Sequence, residues 1–117
     1  MAMGEWETDM GLMYVIAVIR AGALEAVEQE LVKVGVHGLT VIKVKGLGRH
    51  ANFFSRDWLS EEAKIEIVAE ETKVGAIVTA IMDAAHTGDP GDGIVTVLPV
   101  SKFFRIRTRS EALPEDA

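Results

Sequence analysis

Hydrophobic and polar residues follow two rhythms along this chain. Met13–Arg20 (MYVIAVIR) is a short β-branched run and predicts a strand. Ala21 and Gly22 break it. Leu24, Val27, Leu31 and Val34 then recur at helical spacing, with Glu25, Glu28 and Lys33 off the stripe and Gly35 as a C-terminal stop. Leu39–Lys45 (LTVIKVK) alternates apolar and polar residues, as a half-buried strand does. Ala63–Ala69 (AKIEIVA) alternates again, and Val74, Ile77, Val78, Ile81 and Ala85 form a second helical stripe. Thr87–Gly93 (TGDPGDG) is a turn cluster in which Gly88 serves as helix C-cap. Ile94–Leu98 predicts a further strand and Phe103–Arg107 (FFRIR) a short last one. Strand–helix–strand, played twice, predicts an α+β sandwich of the ferredoxin-like β-α-β-β-α-β kind, with both helices on one face.

Composition narrows the class. The 117 residues fit one domain: a polar extension over 1–11, the fold over 12–109, and a flexible acidic tail over 110–117. An apolar share of 49% excludes a disordered chain. The absence of Cys excludes disulfides, thiol nucleophiles and Cys-based metal sites. A net charge of −6 argues against nucleic acid as partner. The start of the chain is acidic, and its longest apolar run, Tyr14–Ile19, is far short of the ~20 residues that cross a bilayer. The expectation is a cytoplasmic protein without membrane insertion.

Candidate chemistry gathers at glycines and arginines. Gly46-Leu47-Gly48-Arg49-His50-Ala51 formally matches a dinucleotide fingerprint, but no helical stripe follows it. Gly46 and Gly48 still permit a phosphate to approach the backbone, and a plain loop is the other reading. Thr87–Gly93 reads as a turn, or as a nest of backbone N–H groups for an anion, and lacks the Lys-Ser/Thr of a P-loop. Arg105 and Arg107 alternate along FFRIR, so on a strand they share one face. They either grip an anion or pair with surface carboxylates. Phe53, Phe54 and Trp58 stud a central loop, either packing together or anchoring a partner. His37, His50 and His86 lack metal-ligand spacing, so no metal is expected. No base, nucleophile or carboxylate pair suggests an enzyme.

The motifs LTVIKVKGLGR (39–49), KIEIV (64–68), TGDPGDG (87–93) and RIRT (105–108), taken in order, resemble the PII signal-transduction family across residues 13 to 109. The resemblance implies a homotrimer with adenine-nucleotide sites in the clefts between subunits. It also implies signalling to a partner protein, a transporter or enzyme, through a flexible T-loop at about 49–61. By that likeness Gly46, Gly48 and Arg49 line the nucleotide cleft, and Thr87, Gly88, Gly91, Asp92 and Gly93 form the phosphate-holding B-loop. Arg105 and Arg107 reach in from a neighbouring subunit, and Gly38, Leu39, Thr40 and Val68 surround the adenine.

The chain also departs from the family pattern. Its loop is shorter and holds no tyrosine, Tyr14 being the sole one. His50 stands where the family has a magnesium-coordinating glutamine. Glu62 stands where a lysine binds 2-oxoglutarate, and Ile94 where a lysine neutralises phosphate. These changes favour ADP or AMP over ATP, and bicarbonate over 2-oxoglutarate as second ligand, as in carboxysome-linked relatives. The alternatives are a conventional nitrogen-regulatory PII protein, or a ferredoxin-like trimeric interaction or metal-tolerance protein without nucleotide.

Overall fold

The structure is a computed structural model that describes residues 11–46 and 60–113. Strand β1 (Leu12–Arg20) leads through a 3-10 turn (Ala21–Ala23) into helix α1 (Leu24–Lys33). Next come β2 (Thr40–Gly46), β3 (Ser60–Glu70), helix α2 (Glu71–Ala85) and β4 (Gly93–Val100). A small hairpin of β5 (Phe104–Arg105) and β6 (Ser110–Glu111) follows. The main sheet runs β2-β3-β1-β4, and every neighbouring pair is antiparallel. This is the ferredoxin-like α+β arrangement that the repeated pattern predicts.

The period of two along each strand sorts the faces. Val15, Ala17 and Ile19 of β1, with Ala63, Ile65, Ile67 and Ala69 of β3, turn one way and are buried. They meet Val27 and Leu31 of α1 and Ile77, Ala80, Ile81 and Ala85 of α2 in one core. Each of the larger of these side chains contributes about 1.5–3 kcal/mol through burial. Gly35 ends α1 at φ +88, and Val36 N–H reaches back to the Leu31 carbonyl at 3.0 Å.

Among the described residues, no helix covers the other face of the sheet. It carries Ile16 and Val18 half-buried, and Ile42, Leu98 and Ile94 at 42%, 44% and 65% exposure. A solvated antiparallel face ordinarily turns polar. The polar residues on it are concentrated on β3, where Ser60, Glu62, Lys64 and Glu66 follow one another.

The structure corrects several local expectations. β3 begins at Ser60, inside the expected 49–61 loop, because Ser60 continues the ladder opposite Gly46. Gly88 is not the cap of α2: the helix ends at Ala85 and His86 takes an extended conformation, so Gly88 belongs to the loop beyond. The run FFRIR is not one strand. β5 stops at Arg105, and Arg109 N–H closes a turn onto the carbonyls of Arg105 and Ile106 at 2.9 and 3.2 Å. Arg105 and Arg107 therefore do not share a strand face. Ser110 and Glu111, at the start of the expected tail, pair back onto β5.

Candidate functional site

Site residues expected from the sequence fall at two ends of the sheet. Register puts Arg20 beside Glu62, with Ile19 opposite Gly93 and Gly46 opposite Ser60. It puts Tyr14 between Val68 and Leu98. Tyr14 and Arg20 are six residues apart on β1, roughly 20 Å in an extended strand. Gly46 and the 87–93 loop thus lie at one end, and Gly38, Leu39, Val68 and Arg105 at the other. Within one chain the glycine loop and Arg105 do not meet.

At the first end, Asp92 organises the loop. Its carboxylate accepts N–H bonds from Thr87 at 2.7 Å and Gly88 at 2.9 Å. It also accepts a bond from the Thr87 hydroxyl. The Arg20 guanidinium donates to Asp92 at 2.8 Å, to the Gly91 carbonyl at 3.2 Å and to the Thr87 hydroxyl at 3.3 Å. The Thr87 hydroxyl bond, then the Thr87 amide, pull the Asp92 carboxyl down to about 2. Two amides of the expected nest therefore already hold an anion, supplied by the loop itself. Gly93 follows at φ +112, where a Cβ would sit 2.0 Å from the Val18 carbonyl oxygen, so close packing on β1 demands glycine. Nearby, the Glu62 carboxylate lies over Gly46, where a Cβ would meet it at 1.9 Å.

At the second end, a cleft of about 630 Å³ opens. Gly38, Leu39, Thr40, Val68 and Arg105 all line it, joined by Tyr14, Glu66, Val100, Lys102 and Phe103. Arg105 lies 5.7 Å from the centre of the Phe103 ring and donates to the Leu113 carbonyl at 3.2 Å. The Tyr14 hydroxyl donates to Glu66, and Lys64 stands 3.6 Å from the same carboxylate oxygen. That bond raises the Tyr14 phenol above its ordinary 10.0. A smaller cavity of about 290 Å³ shares Gly38 and Val68 with the cleft and opens towards α2.

Five expected residues are thus gathered in the cleft, and five in the loop at the far end. Arg107 is exposed in the hairpin turn. Gly48, Arg49, Phe53, Phe54 and Trp58 lie outside the described residues. Among the described residues, no group of three or more His, Asp or Glu is placed to hold a metal ion, and no helix is long and apolar enough to cross a membrane. Sequence reading missed Arg20, Tyr14 and Glu66. Arg20 had a signal: a ferredoxin-like sheet sets β4 beside β1, so the last side chain of β1 faces the turn before β4.

The described residues thus form a ferredoxin-like sheet with a glycine loop at one end and a cleft lined by Arg105 at the other. The model of the family described as "Nitrogen regulatory protein P-II" matches residues 12–110. A P-II homolog of Arabidopsis thaliana is 37% identical over 108 residues, covering 86% of this chain, which spans only about half (55%) of that longer protein. The P-II protein of Azospirillum brasilense is 40% identical over 100 residues, covering 79% of this chain and 88% of its own. The crystal structure of Arabidopsis thaliana PII bound to citrate superposes with a TM-score of 0.76 at 34% identity, covering 89% of this chain and 91% of that one. The chain belongs to the P-II nitrogen regulatory family of signal-transduction proteins.

Proposed function

We propose that this protein is a homotrimeric cytoplasmic sensor that binds an adenine nucleotide in clefts between subunits and signals to a transporter or enzyme through its 49–61 loop. The observation that carries this reading is the division of the site. The loop of Thr87–Gly93 and the cleft of Gly38, Val68 and Arg105 stand roughly 20 Å apart along one sheet. Each becomes part of a pocket when the loop end of one copy meets the cleft end of the next. A ring closed by such head-to-tail contacts has one pocket per subunit. The uncovered sheet face with Ile42, Ile94 and Leu98 gives the ring an apolar surface to bury.

The nucleotide preference follows from charge. Glu62 and Ile94 replace the ammonium groups expected at the polyphosphate end, which costs ATP more than ADP or AMP. Glu62 also repels a dicarboxylate, so a smaller anion such as bicarbonate is favoured as co-ligand. Phe53, Phe54 and Trp58 are the proposed partner anchors. The relatives' names favour a second reading, a conventional nitrogen-regulatory role, and 2-oxoglutarate binding in the ATP complex separates the two.

Calorimetry with AMP, ADP and ATP tests the proposal. Micromolar binding, ordered ADP or AMP ahead of ATP, is the expected result; no heat with any of them refutes it. Bicarbonate added to the ADP complex shifts the affinity if it is the co-ligand. The division of the site has its own test. Arg105→Ala and Gly91→Glu chains each lose binding alone. Mixed one to one and reassembled, they recover about a quarter of the sites, since an intact cleft then draws its two halves from different chains. No recovery on mixing means that both halves lie in one chain.

A further inference from the structure

We infer that Asp92 is not a ligand group but the internal counter-anion of the 87–93 loop, and that with Arg20 and Thr87 it acts as a positioning residue. This rests on the nucleotide reading above and changes the part that Asp92 plays in it. The geometry carries the inference. One carboxylate oxygen takes the Thr87 and Gly88 N–H groups at 2.7 and 2.9 Å. The other takes the Thr87 hydroxyl and the Arg20 guanidinium, the latter at 2.8 Å. Four donors of this chain converge on the carboxylate. Arg20 ties the same loop to β1 a second time through the Gly91 carbonyl. Asp92 N–H closes the turn onto the Asp89 carbonyl at 3.2 Å.

The physical consequence is a loop that is folded before any ligand arrives. A bound anion then meets a preset backbone and does not have to order it, which conserves affinity. The cost is that the Thr87 and Gly88 amides are already engaged. Ligand anions must therefore be met by other loop groups and by the arginine of the adjoining subunit. The loop thus contributes shape, and the arginine contributes charge.

The experiment follows amide exchange by NMR on the full chain, with ADP as the calorimetric probe. Asp92→Asn keeps the shape but removes the charge that Arg20 and the two amides share. Exchange at the Thr87 and Gly88 amides is expected to quicken about tenfold or more while β1 and β3 stay protected, and the ADP Kd to rise about tenfold. Thr87→Val gives the same pattern, and Thr87→Ser restores the protection; this pair serves also if Asp92→Asn fails to fold. Tighter ADP binding by Asp92→Asn overturns the inference, because the carboxylate was then competing with the ligand. Weaker binding with unchanged exchange overturns it too, because Asp92 then touches the ligand. If the wild-type chain binds no ADP, the nucleotide reading falls while the exchange measurements still decide the role of Asp92.

Discussion

The two ends of the sheet solve opposite problems. At the loop end, Arg20, Thr87 and Asp92 satisfy one another, and the backbone from Thr87 to Gly93 is fixed by bonds within the chain. At the cleft end, glycine, valine and leucine positions leave a volume of about 630 Å³ open beside Arg105. One end is tied within the chain and the other is an open cleft. An isologous pairing sets like end against like end and leaves the loop and the cleft apart. The proposed assembly pairs unlike ends, a heterologous contact that forms a ring where the rotation between copies closes.

Glycine substitution gives the sharpest contrast. At the loop end, Gly93→Ala sets a Cβ 2.0 Å from the Val18 carbonyl at φ +112. Backbone strain and overpacking together should cost about 2–5 kcal/mol of unfolding free energy in denaturant titration. At the cleft end, nothing lies within 4 Å of a Cβ on Gly38, whose φ is ordinary. Gly38→Ala should therefore change stability by no more than about 0.5 kcal/mol. Equal losses at both positions would break the comparison.

A smaller effect separates the ends by pH. Asp92 is held at about 2 in the folded chain against an ordinary 3.8, chiefly by the Thr87 hydroxyl. A depressed carboxyl contributes stability that is complete above its unfolded value and is lost as pH falls through the folded one. The loop should stay tied at every pH above about 4 and loosen on the way down to about 2. The Thr87 and Gly88 amide shifts should titrate together with that lower midpoint. A midpoint near the ordinary carboxyl value would mean that the tie is absent in solution.

What the sequence made legible follows the same division. The core was readable because burial imposes a period of two on β1 and β3 and a helical period on Leu24–Leu31 and Val74–Ala85. The glycines of the loop were readable because backbone demands leave glycine as a signature. Arg20 was not, because its partners stand about 70 positions away and come near only through the pairing of β1 with β4. The Arg105–Arg107 strand misled for a related reason. Alternation in FFRIR suits a strand, but among the described residues no main-sheet strand pairs with it, and a local turn through Arg109 wins. Tyr14 and Glu66 looked like ordinary strand residues until the register showed them on one face, at the cleft.

That pair supplies the finest test, because Tyr14 is the chain's only tyrosine. Its hydroxyl donates to Glu66, and this bond holds the phenol above 10.0. A raised folded value means that the bond's contribution is complete below pH 10 and is lost as pH climbs through the folded value. Ultraviolet titration of tyrosinate should therefore give one transition with a midpoint above 10, the value that unfolded chain should show. Tyr14→Phe should cost no more than about 1 kcal/mol, since Glu66 keeps Lys64 beside it and water reaches the cleft. A partly exposed hydrogen bond at an open cleft accounts for this modest figure. If Tyr14→Phe proved as damaging as Gly93→Ala, the cleft would be as self-contained as the loop. The case for completing it from a second copy would then lose its footing.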